Sequence, residues 1–248
     1  MPNLPAHIDI AFRAAKRLGH PTIDSNIGSF LFGSTSPDIR VITKKKREEY
    51  HFVTLDFAKI GAGVEGLFNK HSNLRASKKL TGATQAFMSG YIAHLVTDET
   101  WIVNVFRPFF NNPKIFPETV LGKVMDRALQ LELDRQSWEF IKPTIHLVKG
   151  ADCEVQINFL PQETLSDWNT WVINSLNGNF SWERLRFMAK RIAAGMKNHQ
   201  AHQIAEDFIL NTDQGLENIY SKIPINALQT YRKQTEESLV GVIGEYLS

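Results

Sequence analysis

The stretch FMSGYIAHLVTDETW, residues 87–101, decides how this chain folds. Its apolar positions recur at spacings of three and four and it holds no proline, so it predicts one amphipathic helix. His94 and Asp98 stand four residues apart and project from one helix face, about one turn from each other. Gly90 lies one turn before His94. Its bare Cα lets another segment approach closely, at some cost in helix propensity. An imidazole and a carboxylate at this spacing supply half of a zinc site, since zinc accepts nitrogen and oxygen ligands, usually four in all. A His–Asp hydrogen bond or a surface ion pair is the competing reading. The rest of the chain decides between them by whether it supplies more ligands.

The chain has 248 residues, enough to bury a sizeable core. A hydrophobic share of 43% and a charged share of 22% are ordinary for a globular protein. With 28 basic and 26 acidic side chains the formal charge is +2, which gives no argument for a nucleic-acid partner. The run Lys44–Arg47 reads as a solvated loop. Cys153 is the single cysteine, so no internal disulfide forms, in keeping with a reducing compartment. The N-terminal stretch is amphipathic rather than continuously apolar and does not read as a secretory signal. No stretch is apolar enough for a membrane span, and the expected location is the cytoplasm.

Helical patterns organise the chain from end to end. One runs from about Ala6 to Leu18, with His7 in its first turn and Gly19 and Pro21 at its end. Residues 23–32 read as a helical turn or a buried extended piece. In GSTSPDIR, residues 33–40, Pro37 stiffens the backbone on either side and Asp38 follows at once. Asp38 either caps the next turn or is a preorganised ligand. His51 sits between Tyr50 and Phe52 in a buried-looking segment. GAGVEGLF, residues 61–68, lacks the companions of a phosphate-binding loop and reads as a connector or lid, and His71 after it as exposed. Arg107 and Pro108 are expected to stop the central helix, and the aromatic residues of 106–116 to cover the core or line an apolar pocket. Residues 119–140 form a helix, on which Asp126, Glu132 and Asp134 are expected at the surface. Residues 141–159 have mild period-two character that admits a short hairpin, with His146 structural. A helix over 164–174 precedes the longest helical pattern, 182–209. There Met196 is placed on the buried side, and His202 and Glu206 repeat the four-residue spacing. A last helix spans 226–246. With no repeat, heptad run or low-complexity linker, residues 1–248 read as a single all-α domain.

His7, Asp38, His51, His94 and Asp98 are the candidate ligands: three imidazoles and two carboxylates. Such nitrogen-rich mixed ligation suits zinc better than magnesium or calcium. The same residues carry a resemblance. His7, GSFLFGSTSPDIR with Asp38, YHF with His51, and GYIAHLVTDETW with His94 and Asp98 look like the zinc-dependent phospholipase C family and the related S1/P1-type nucleases, mainly over residues 5–110. The resemblance implies an all-helical fold. It also implies that Asp38, His51, His94 and Asp98 surround one zinc, with His7 and a shared Asp98 holding a second. Two features of that family are not matched. Its mature N-terminal residue binds metal through the amino group, whereas this chain starts Met-Pro-Asn-Leu-Pro. Its histidine shortly after the shared Asp is also missing, with Asn104 and its neighbours offering none. His202 and Glu206 match its later His-x3-Glu and would serve a third ion, with His199 or His146 as a substitute histidine. One or two zinc ions are the expected complement.

A metal pair suits phosphate ester hydrolysis, because it ionises a bound water and neutralises phosphoryl charge. Asp38 is then placed to orient or deprotonate that water, and Arg40 or the Lys44–Arg47 run to meet phosphate charge. The expected activity is that of a phospholipase C-like phosphodiesterase acting on a small phosphorylated or lipid-like substrate. The rival readings are a metal-dependent hydrolase or lyase on a non-phosphate substrate, and a non-catalytic helical protein stabilised by its metal.

Overall fold

Thr81 opens the helix that carries His94 and Asp98. Its hydroxyl accepts a hydrogen bond from the Thr84 amide at 3.3 Å, an N-cap that satisfies one of the free amides of the first turn. The computed structural model describes all 248 residues and contains thirteen α-helices and no strand. They are α1 (Leu4–Leu18), α2 (Pro21–Ser25), α3 (Ile27–Gly33), α4 (Arg40–Thr43), α5 (Glu48–His51), α6 (Ala62–Lys70) and α7 (Gly82–Trp101). After these come α8 (Thr119–Thr144), α9 (Gln162–Leu176), α10 (Arg184–Ile192), α11 (Gln200–Leu210), α12 (Thr212–Tyr220) and α13 (Ala227–Leu247). One hydrophobic core runs through them, so the chain is a single all-helical domain. No helix is long and apolar enough to cross a membrane.

The central helix α7 is not amphipathic in place. All of its residues except Gly82 and Gln85 are buried, because α3 and α13 cover it, with α1, α2 and α6 at its flanks. Its polar residues are satisfied internally. Ser89 donates to Gln85 O and Thr100 to Val96 O, and Tyr231 on α13 donates to Thr97 O at 3.0 Å. Gly90 sits where α3 crosses. A Cβ there would collide with the Phe30 carbonyl oxygen.

Elsewhere the structure departs from sequence expectation. GAGVEGLF is no lid: it forms the start of α6, and Gly63 and Gly66 let that helix lie against the carbonyls of His51 and Phe52. Arg107 and Pro108 do not end the helical path, which continues beyond α7 as a π-helix, Ile102–Phe110. Residues 145–148 form a 3₁₀ turn, and no hairpin exists in 141–159. The expected long helix over 182–209 is two helices, α10 and α11, broken where Ala194 and Gly195 take positive φ of 49° and 84°. Met196, in that break, is 57% exposed. His71 is half-buried and stacks on Phe159.

Asp126, Glu132 and Asp134 are all buried, not at the surface. They lie on α8, which is packed against α1, α10, α11 and α12, and each has a polar partner. Trp101 Nε1 and Gln130 Nε2 donate to Asp126 at 2.9 and 2.8 Å, Arg135 to Glu132 at 2.7 Å, and Asn3 to Asp134 at 2.7 Å.

Candidate metal centre

His7 comes from the first turns of α1, a helix started by Pro5. Asp38 comes from a corner that is tied down before it turns. Ser34, Thr35 and Ser36 donate their hydroxyls back to Leu31 O, Phe32 O and Phe32 O at 2.7, 2.7 and 2.9 Å. The chain then enters the 3₁₀ turn Ser36–Ile39, with the Asp38 amide on Thr35 O at 3.1 Å. His51 ends α5, and its neighbour's carbonyl, Tyr50 O, accepts from Tyr91 OH at 2.6 Å. His94 and Asp98 face this set from α7. His7, His51, His94 and Asp98 are all at most 1% exposed.

The side chains converge on Asp98. His7 Nε2 lies 3.3 Å from Oδ1, His51 Nε2 3.2 Å from Oδ2, and His94 Nε2 3.7 Å from Oδ2. The first two approaches are not angled as hydrogen bonds, and the third is too long for one. The three Nε2 atoms and Asp98 Oδ1 are therefore buried without a hydrogen-bond partner. The ring orientations explain why. His94 Nδ1–H donates to Ser34 O at 2.8 Å, and His51 Nδ1–H donates to Arg47 O at 3.3 Å. Each bond leaves an Nε2 lone pair aimed at the carboxylate, which is the tautomer a metal ligand needs. Separations of 3.2–3.3 Å also match the spacing of about 3.3 Å between neighbouring ligands of a tetrahedral zinc.

Two groups of ligand atoms lie within 4.8 Å of one another: His7, His94 and Asp98, and Asp38, His51 and His94. They share His94. Its Nδ1 is committed to Ser34, so Nε2 serves one ion, and a second ion must draw on a carboxylate shared from Asp98 or on Asp38. The residues present thus fit one or two zinc ions.

Electrostatics favour the neutral imidazole at two of the three histidines and the charged form at the third. Burial pushes His51 down to about 4. Burial, with the neighbouring His94, also lowers His7. At His94 burial works against the charged form, but the Asp98 carboxylate outweighs it and raises the pKa. Asp98, despite its own burial, is held well below the ordinary carboxylate range by the three histidines.

Arg47 belongs to the site through Asp98, whereas sequence reading placed it only in a basic run that could meet phosphate charge. The side chain is buried, and Nη2 donates to Asp98 Oδ2 at 3.2 Å. The signal was present: Arg47 stands one helical turn before His51, but the lysines preceding it suggested a solvated run. Beside the cluster lies a cavity of about 230 Å³ whose walls include Asp38, Arg40, Asp98, Arg127 and Arg191. Met1 closes part of it, with an amino group held down to about 5, chiefly by burial and by Arg127. A second cavity of about 310 Å³ adjoins it through Met1, Arg127 and Ile192, and is lined by Leu55, Ile102 and Phe106.

The structure does not bring His202 and Glu206 to the cluster. Both Glu206 oxygens are taken by Arg186, at 2.6 and 2.7 Å, and His202 Nε2 donates to Met196 O at 3.0 Å. His199 caps α11 by accepting from the Ala201 amide, and His146 is exposed. No further histidine is placed to complete a third ion's shell.

The three histidines and two aspartates of this cluster all lie in the part of the chain that matches a known family. Residues 6–101 match the family model described as zinc dependent phospholipase C. That segment contains His7, Asp38, His51, His94 and Asp98, and excludes Arg127, Arg191, His202 and Glu206. No curated protein and no solved structure matches the chain.

Proposed function

We propose that this chain is a zinc-dependent hydrolase of phosphate esters, a phospholipase C-like phosphodiesterase with the phospholipase C/P1 nuclease type of fold. The observation that carries this reading is the set of buried, unpartnered Nε2 atoms around Asp98, at the wall of a cavity that also holds Asp38 and Arg40. The match of residues 6–101 supports it.

His7, His51, His94, Asp38 and Asp98 would hold the zinc, which supplies a water ionised near neutral pH and Lewis acidity toward a phosphoryl oxygen. Asp38 faces both the cluster and the cavity, so its carboxylate orients an attacking water and accepts its proton. Arg40 donates to the non-bridging oxygens and offsets their charge as the pentavalent state forms. Arg47 holds Asp98 in place and helps to keep it ionised. The neighbouring apolar cavity accepts the hydrocarbon part of a lipid-like substrate.

The test is zinc content together with turnover of bis(p-nitrophenyl) phosphate. Protein purified without chelator should carry one or two zinc ions per chain and release p-nitrophenol in a zinc-dependent way. His94→Ala should weaken zinc binding by roughly tenfold or more and abolish turnover. Wild-type zinc content in that variant would refute the ligand assignment, and zinc-loaded protein inert toward every phosphate ester would refute the activity.

A further inference from the structure

Three arginines from three different helices meet at the mouth of the metal cluster. Arg40 starts α4, Arg127 lies on α8 and Arg191 near the end of α10, and all three line the same cavity. None of them forms an ion pair with a carboxylate, whereas Arg13, Arg47, Arg135 and Arg186 all do. Arg40 Nε is buried and has no hydrogen-bond partner. Arg127 reaches only the neutral Gln130, and Arg191 lies over the Phe187 ring.

Partial burial of its guanidinium, and then Arg40 and Arg127, outweigh the nearby Asp38 carboxylate and hold the Arg191 pKa below the ordinary arginine value. The three charges therefore feel one another. A chain whose formal charge is only +2 has gathered three guanidiniums in one concave place, against two carboxylates there, Asp38 and Asp98, that are already committed to the metal cluster. Such crowding opposes folding unless an anion relieves it. Guanidinium forks match phosphate oxygens in pairs, and three forks supply more donors than a singly charged diester can accept.

We infer that Arg40, Arg127 and Arg191 form a recognition subsite for a dianionic phosphoryl group, so that the centre takes phosphate esters bearing a phosphomonoester group. Arg127 and Arg191 lie outside the segment that matches the phospholipase C family model, and Arg40 lies within it, so the subsite joins the two parts of the chain. The inference deepens the phosphate-ester reading above, but its binding test does not depend on turnover.

Calorimetric titration of the zinc-loaded protein at pH 8 with methyl phosphate and dimethyl phosphate provides that test. The dianion should bind at least ~10-fold more tightly than the monoanion. The pair Arg127→Gln and Arg191→Gln should lose roughly tenfold in methyl phosphate affinity and little for dimethyl phosphate, with zinc content unchanged. Arg191→Gln alone, at an exposed position, guards against a folding defect and should show part of the same loss. Methyl phosphate affinity within about twofold of wild type in all variants, at equal zinc content, would overturn the subsite. Should the protein hold no zinc, the hydrolase reading falls, and the subsite stands or falls on the same comparison made without metal. Turnover of p-nitrophenyl phosphate marks the recognised group as the one cleaved. Its binding without turnover marks it as a second phosphate of the substrate, and both results support the subsite.

Discussion

His94 Nδ1 lies 2.8 Å from the Ser34 carbonyl oxygen, a bond that spans two helices and fixes which imidazole nitrogen faces Asp98. The carbonyl is in reach because α3 lies directly on α7 at Gly90, where a Cβ would meet the backbone of Phe30 and Ser34. Gly90→Ala should therefore act twice. Overpacking against backbone should lower stability by about 3 kcal/mol in urea denaturation. Displacing Ser34 should also weaken zinc binding severalfold. A variant with lowered stability and intact zinc affinity would show that His94 does not depend on this contact.

Arg47 is a buried hydrogen-bond partner of Asp98, alongside the three histidines that hold it ionised. Arg47→Met removes one partner of a buried pair and should destabilise the zinc-free protein by about 3 kcal/mol. Zinc bound to Asp98 takes over the missing charge, so saturating zinc should raise the Tm of this variant more than that of wild type. Thermal melts with zinc and with chelator measure both quantities. Equal changes in Tm for the two proteins would separate Arg47 from the metal site.

Asp134 carries the opposite liability. It is fully buried and accepts from Asn3, and burial raises its pKa to about 7. Between the unfolded value near 3.8 and this folded value, the native state holds a proton that the unfolded state has released. Stability from this group is thus greatest below pH 4, falls as pH rises toward 7, and stays low above it. The loss is about 1.4 kcal/mol for each pH unit crossed between the two values. Asp134→Asn should be more stable than wild type at pH 8 by a few kcal/mol, with the gap closing toward pH 4. Denaturation curves at the two pH values check the sign. A constant difference between them would mean that Asp134 does not titrate in this window.

His202 and Glu206 sit apart from the cluster. His202→Ala and Glu206→Gln should leave zinc stoichiometry and affinity within about twofold of wild type. A lost equivalent of zinc in either variant would restore a third ion.

Part of the candidate cluster was legible because helix periodicity and proline punctuation are local signals, whereas His7 and His51 joined it through the family resemblance. His94 and Asp98 at four-residue spacing, and Asp38 beside Pro37, could be placed without knowing what packs on them. The acids of α8 were not legible. Charge suggested solvent, whereas Asp126 and Asp134 are buried by partners from distant segments, Trp101 and Asn3. The break between α10 and α11 was hidden because Ala193, Ala194 and Met196 are good helix formers, and only Gly195 hinted at a turn. Arg127 and Arg191 carry no sequence signal at all, because their meeting with Arg40 exists only once three helices have packed.

Tyr231 donates to Thr97 O and packs edge-on against Trp101. The helix that bears two ligands is thus roofed by residues more than a hundred positions later in the chain. Proteolysis ahead of α13 would spare every ligand side chain and still open their shelter to water. Zinc retention is therefore a gauge of whether the chain's last helix remains docked on its middle one.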